Sequence, residues 1–128
     1  MTWPVPGTVI YVWFLGVFRH KGIVSDRFWN GKPMVLANSW TSSGVAEISW
    51  DAFAGGREVF SEGYPSALPP WEVLYNAKSM IGEQYDIIFS NCEHFVCKCH
   101  NKEPRSAQVV GFVLLALGVA ALALVSTD

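Results

Sequence analysis

The stretch VFRHKGIVSDRFWNGKPMVLANSW, residues 17–40, has the pattern of two β-strands joined by a tight turn. Apolar and β-branched residues dominate 17–24 and 34–40, and both indicate strands. The Asn30-Gly31 pair between them favours a two-residue hairpin turn, because both residue types tolerate positive φ. An earlier run at 8–13 is rich in aromatic and β-branched residues and predicts a preceding strand. The sequence therefore indicates an antiparallel sheet in its first half.

The second half of the chain is richer in helix signals. Residues 45–50 predict a short strand, 58–60 an edge strand and 85–89 an extended segment. A helix is predicted from Trp71 to a stop at Gly82. A last soluble helix is predicted to begin near Ser90, where 90–93 has the S-x-x-E form of a capping box. The fold class expected from these patterns is α+β.

Length and charge exclude several classes of protein. The 128 residues fit one compact domain. Nine basic and 11 acidic side chains give a net charge of −2, which argues against a nucleic-acid-binding protein. A hydrophobic content of 51% argues against intrinsic disorder.

The C-terminal segment differs from the rest of the chain. No charged residue occurs at 106–127, and 109–125 is apolar throughout, long enough for a helix to cross a bilayer. A fully buried C-terminal helix is the alternative, but about 105 residues could hardly enclose it. We therefore expect a globular domain at 1–105 and a single-pass membrane anchor at 106–128. Basic residues precede the apolar run, so the positive-inside rule places the domain in the cytoplasm.

Cys92 is the residue most suggestive of chemistry. It falls in the first turn of the predicted helix, where unpaired N–H groups and the helix dipole are expected to lower the pKa of a thiol. A nucleophilic cysteine needs a base, and His20 is the best candidate, because His94 would point away from Cys92 on the same helix. Gly22, beside that histidine, is expected to leave room for a substrate.

Two simpler interpretations of these residues were weighed. A lone cysteine is most often a small buried apolar residue, and a lone histidine is most often structural. A zinc site would have to combine ligands from 94–100, yet structural zinc sites usually take ligand pairs from separated segments. We therefore expect no metal and no other cofactor.

Three motifs give the chain a family resemblance. NCEHFV at 91–96 resembles the NCEHF signature of the lecithin:retinol acyltransferase-like family, which is grouped with NlpC-type, papain-related thiol enzymes. HKGIV at 20–24 resembles the upstream H-x-G-I box of that family, and SAQV at 106–109 resembles its S-x-Q-V run. The resemblance implies a circularly permuted papain-like (NlpC-like) fold, with an antiparallel sheet packed on helices.

The same resemblance implies roles for individual residues. Cys92 would be the nucleophile and His20 the general base, oriented by a third polar residue on the following strand. Asn38 is the expected third residue, with papain-like enzymes as precedent for asparagine. Gly22 and Asn91 are the expected substrate-binding residues.

The position of the third residue stays open between Asn38 and Ser39. A two-residue loop at 30–31 would pair Ile23 with Asn38 and would point the Asn38 side chain away from the face that carries His20. Ser39 would then share the face of His20. A longer loop or a β-bulge beside Pro33 would restore Asn38.

The function implied is a thiol acyltransferase or a phospholipase A-type hydrolase that works through a thioester. A membrane-anchored enzyme meets phospholipid acyl esters, so a phospholipid is the expected acyl donor. The alternatives are an NlpC-type cysteine peptidase or amidase and a catalytically silent membrane adaptor.

Overall fold

The computed structural model describes residues 2–39, 44–83 and 92–101. Along these residues the elements are β1 Val9–Phe14, β2 Phe18–Trp29, β3 Lys32–Ser39, β4 Gly44–Ile48, α1 Trp50–Ala54, β5 Phe60–Gly63, α2 Pro70–Ser79 and α3 Cys92–Cys99. The strands form one sheet of order β4-β3-β2-β1-β5, in which all neighbours are antiparallel. The expected α+β class is confirmed.

The hairpin at the centre of the sheet forms where the sequence predicts it. Asn30 and Gly31 have φ of 56° and 79°, and they join the paired residues Trp29 and Lys32. Strand β2 runs five residues beyond its predicted end at Val24, because Phe28 and Trp29 still pair with β3.

The region after β4 departs from the expectation. The strand predicted at 45–50 ends at Ile48, and the five-residue helix α1 begins at Trp50. The Ser49 side chain accepts a hydrogen bond from the Ala52 N–H at 3.0 Å and so caps the first turn. Gly55 ends the helix with a left-handed φ of 57°.

The two faces of the sheet carry separate cores. On the face covered by α2 and α3, hereafter the α3 face, Val9, Ile23 and Leu36 pack against helix residues such as Phe95. On the opposite face, hereafter the α1 face, Val24, Val35 and Ala37 pack with Phe53 of α1. Alternation along a strand therefore assigns each side chain to one of two environments.

Several predicted segments lie outside the described residues. They are the extended segment at 85–89, the capping residue Ser90, Asn91 and the membrane anchor at 106–128. Within the described part of the chain, no helix has the length and apolar character needed to span a membrane.

Candidate active site

Cys92 begins α3 and lies against the edge of β2. Its Sγ is 3.6 Å from the carbonyl oxygen of Arg19, and the backbone N–H of Lys21 donates a hydrogen bond to the sulfur. The carbonyl of one strand residue and the N–H two residues later point to the same edge of the strand. The thiol therefore lies level with His20, which is the residue between these two groups.

The thiol is protonated in this environment. Burial raises the pKa of Cys92 above its usual value, and the carboxylate of Glu93 also raises it. The Lys21 N–H and the Lys21 charge act in the opposite direction, but burial dominates. The expectation that the helix start lowers this pKa is wrong, because dehydration of the thiolate outweighs the helix dipole here.

The imidazole of His20 lies on the α1 face. It stacks on Phe53, with ring centroids 5.0 Å apart and ring planes at 29°. Burial, together with the positive charge of Arg57, lowers the pKa of His20 to about 4. The ring is therefore neutral at pH 7 and can accept a proton.

Gly22 has a packing role that the sequence did not suggest. A Cβ at this position would lie 2.6 Å from Cγ1 of Val35 and 2.9 Å from Cε1 of Phe53. Protein side chains thus fill the space that a Cβ of Gly22 would occupy, and the substrate-binding role of Gly22 stays a prediction. The missing side chain lets Phe53 approach the sheet and stack on His20.

Asn38 is fully buried on the α3 face. It pairs with Val45, which belongs to the core on that face, whereas the His20 ring packs on the opposite face. A bulge between β2 and β3 does occur, but three residues of β2 (25–27) stand opposite Met34 alone. Because the excess is two residues, an even number, the bulge leaves Asn38 on its original face. The structure therefore does not bring Asn38 to the His20 ring, and the Ser39 side chain lies outside what it describes.

An ion-pair network beside the thiol was not foreseen. Lys21 Nζ lies 3.1 Å from a carboxylate oxygen of Glu62 and 3.8 Å from one of Glu93. Arg19 forms a second pair with Glu62, at 2.8 Å. The network joins β2, β5 and the first turn of α3, and it therefore fixes the helix that carries Cys92. Lysine follows His20 directly and glutamate follows Cys92 directly, which was the only available sequence signal.

His100 has a structural role. Its Nε2 is 2.8 Å from the carbonyl oxygen of Gly7, and its Nδ1 is 2.6 Å from Oγ of Ser66. The buried ring also meets Tyr64 edge-on. His100 thus ties the end of α3 to two loops.

An open cavity of about 400 Å³ lies on the α1 face. Its walls are mainly apolar and include Trp3, Ile10, Trp50 and Val59, and Arg57 supplies a positive charge. The same Arg57 lowers the pKa of His20, so this charge lies near the imidazole.

Together, the fold and the site define a small α+β domain in which a helix-start cysteine packs against a strand that bears a histidine. A family model described as lecithin retinol acyltransferase matches residues 18–105, and the chain belongs to this family. Comparison with curated proteins and with solved structures gives no match. The family is related to acyltransferases and phospholipases and acts on lipid substrates, which supports an enzyme of lipid metabolism.

Proposed function

We propose that this protein is a membrane-anchored thiol acyltransferase or phospholipase A-type hydrolase that attacks phospholipid acyl esters. The observation that carries the proposal is the position of the Cys92 thiol at the edge of β2, level with His20. Family membership supports the lipid substrate. The fold proposed to hold this site is the circularly permuted papain-like arrangement.

In the proposed reaction, neutral His20 accepts the proton of the Cys92 thiol while sulfur attacks the ester carbonyl carbon. The backbone N–H of Cys92, at the start of α3, helps to hold the oxyanion. Collapse of the tetrahedral intermediate breaks the ester C–O bond, and the imidazolium protonates the departing lysophospholipid oxygen. Water, or an acceptor alcohol or amine, then attacks the thioester and regenerates the thiol.

The third catalytic residue is tested by two matched variants. Asn38 packs with the α3-face core, so Asn38→Ala should lower stability. Replacing a residue that orients His20 should instead lower turnover while the enzyme stays stably folded. We propose to test both residues of the open assignment: Asn38→Ala tests the residue that the family resemblance implies, although its side chain lies on the face opposite the His20 ring, and Ser39→Ala tests its neighbour. Loss of turnover confined to Ser39→Ala would assign the role to Ser39.

The membrane anchor at 106–128 and the cytoplasmic orientation of 1–105 are part of the proposal. Their support is the uncharged run at 106–127 and the basic residues before it. The full chain should resist extraction from membranes by alkaline carbonate, and protease should digest the domain from the cytoplasmic side. Release by carbonate would refute the anchor.

The decisive experiment is intact-mass analysis of the detergent-solubilised full chain after brief incubation with a short-chain phosphatidylcholine. The native protein should gain the mass of one acyl group, and Cys92→Ala should gain none. Release of fatty acid without an adduct, again absent in Cys92→Ala, would indicate fast deacylation. If neither product forms, the proposal fails in favour of a peptidase, an amidase or a silent adaptor. A peptide or amide substrate turned over by the same preparation would then identify the first two.

A further inference from the structure

The turn that joins β1 to β2 has an unusual residue at its tip. Leu15 and Gly16 have φ of 54° and 73°, nearly the values of Asn30 and Gly31 at the other end of β2. Turns with two positive φ values favour Asn-Gly, and a bulky residue there is a conformational outlier. The chain thus uses the favoured residues in one hairpin and leucine in the other.

Packing within the protein does not account for this leucine. Leu15 is 74% exposed, its neighbour Val17 is 68% exposed, and Trp13 is 41% exposed. Leu15 and Val17 leave most of their apolar surface in water, so folding gains little from either of them. The cost in backbone conformation and exposed apolar area points to a partner outside the domain.

The surroundings of the turn suit a bilayer surface. Residues 1–18 contain no charged side chain, and the first charge, Arg19, stacks its guanidinium on Tyr11 and Trp13 at 4.5 and 5.3 Å from the ring centroids. Aromatic rings and arginine are typical of the boundary between hydrocarbon and headgroups. The apolar run at 109–125 would hold the domain at the same surface.

The turn is also close to the thiol. Arg19, whose carbonyl oxygen is 3.6 Å from Cys92 Sγ, is four residues from Leu15. At about 3.3 Å per strand residue, the tip lies roughly 13 Å from this contact. A headgroup layer is about 5–7 Å thick, so a tip at the hydrocarbon boundary holds the β2 edge just outside the headgroups, on the side from which a lipid would enter.

We propose that the β1–β2 tip, residues 13–18, inserts into the surface of a phospholipid bilayer and presents the Cys92 edge of β2 to it. The proposal rests on the proposed function for the reason to approach lipid, but insertion itself requires no catalysis. The opposite hairpin tip, at Phe28 and Trp29, is similarly exposed and provides a control. It lies roughly 36 Å away along β2, too far to insert at the same time when β2 stands upright on the membrane.

The test places a benzoylphenylalanine photocrosslinker at position 15, or at position 29 as the control, in full-length protein reconstituted into phosphatidylcholine vesicles with 20–30% phosphatidylserine (about the range that gives a negative surface). The same pair is repeated on Cys92→Ala. Phospholipid adducts should form at least about tenfold more often at position 15 than at position 29, with or without Cys92. A tenfold ratio corresponds to a free-energy difference of about 1.4 kcal/mol between the two positions. Equal adduct yields at both positions, or adducts to protein at position 15, would overturn the proposal.

A second measurement connects insertion to turnover. Leu15→Asn supplies the favoured turn residue, so its melting temperature should not fall. Its rate on vesicle phospholipid, divided by its rate on a dispersed short-chain phosphatidylcholine, should fall about tenfold, whereas the ratio for Trp29→Ser should be unchanged. An unchanged ratio for Leu15→Asn would refute insertion. Absence of both rates in the native protein would refute the proposed function, with the adduct pattern still deciding insertion.

Discussion

Replacing Gly22 by alanine should disrupt the contact that holds His20. The added Cβ would lie 2.6 Å from Val35 Cγ1, 2.9 Å from Phe53 Cε1 and 3.2 Å from the Leu36 carbonyl oxygen. Alanine normally stabilises a strand relative to glycine by about 0.5–1 kcal/mol, because it restricts the unfolded chain. Overpacking in a filled core costs about 1–3 kcal/mol. Since one of the close neighbours is backbone, we expect overpacking to win and the free energy of unfolding to fall by about 1–2 kcal/mol.

The assay is thermal unfolding of the detergent-solubilised full chain, combined with NMR titration of His20. A loss of 1–2 kcal/mol corresponds to a fall in melting temperature of roughly 4–8 °C for a domain of this size. Displacement of Phe53 should expose the imidazole to water, so the pKa of His20 should rise from about 4 towards its ordinary value of 6.5.

Val35→Ala is the matched partner variant, because it removes the nearest clashing atom. Alone it should cost about 2 kcal/mol through lost burial. Combined with Gly22→Ala, the total loss should be smaller than the sum by about 1 kcal/mol, since the two sites are in contact. Strict additivity, or a Gly22→Ala protein as stable as the native one with an unchanged His20 pKa, would refute the packing role of Gly22.

Three further predictions concern the charges of the site. The rate at which iodoacetamide reacts with Cys92 should keep rising from pH 6 to 9, because burial raises the pKa of this thiol. This rate is the difference between the native protein and Cys92→Ala. A plateau already reached at pH 6 would contradict the neutral thiol. The folded pKa of His20, about 4, lies below its unfolded value of 6.5, so unfolding takes up a proton at pH values between the two. The free energy of unfolding should therefore fall by up to about 3 kcal/mol as the pH drops from 6.5 to 4. In equilibrium unfolding, His20→Phe should lose that part of the pH dependence, and identical pH profiles would exclude the effect. Lys21→Met should lower the free energy of unfolding by about 1–2 kcal/mol, because it leaves the buried Glu93 carboxylate without this cation. The control, Lys32→Met, removes an exposed ion pair and should lower the free energy of unfolding by under about 0.5 kcal/mol. Equal losses would show that the Lys21 network adds nothing to stability.

Local signals accounted for the centre of the sheet. Strands β1, β2 and β3 and the Asn30-Gly31 turn could be predicted because alternation and turn chemistry act over a few residues. Helix α1 could not, since the five residues Trp50–Ala54 are too few to show helical periodicity, although Ser49 and Gly55 are good capping residues. The register predicted for a two-residue loop, Ile23 opposite Asn38, was wrong, because the bulge pairs Ile23 with Leu36. The face predicted for Asn38 with that register is nevertheless the observed one, since the excess of two residues preserves the strand period.

The electrostatics of the site depended on contacts that are distant in sequence. The position of Cys92 at a helix start was readable, whereas the burial that raises its pKa depends on packing against β2, more than 70 residues earlier. Phe53 of α1 and Gly22 of β2 meet only after folding, so the packing reason for the glycine was hidden. Sequence patterns locate reactive side chains, but their protonation states follow from tertiary burial.

The candidate site holds the Cys92 thiol and the His20 imidazole in their neutral forms. Burial disfavours the Cys92 thiolate, and burial with the Arg57 charge disfavours the His20 imidazolium, so an ion pair between them would be costly on both sides. For the proposed reaction, these pKa directions favour proton transfer during attack on the carbonyl over a preformed thiolate–imidazolium pair. The transition state of the proposed reaction then needs stabilisation that the resting site lacks. The oxyanion that develops at the start of α3 would be the new charge that interacts with the imidazolium and the helix N–H groups. Under the proposed function, a neutral resting thiol would become nucleophilic only when an ester carbonyl reaches the β2 edge.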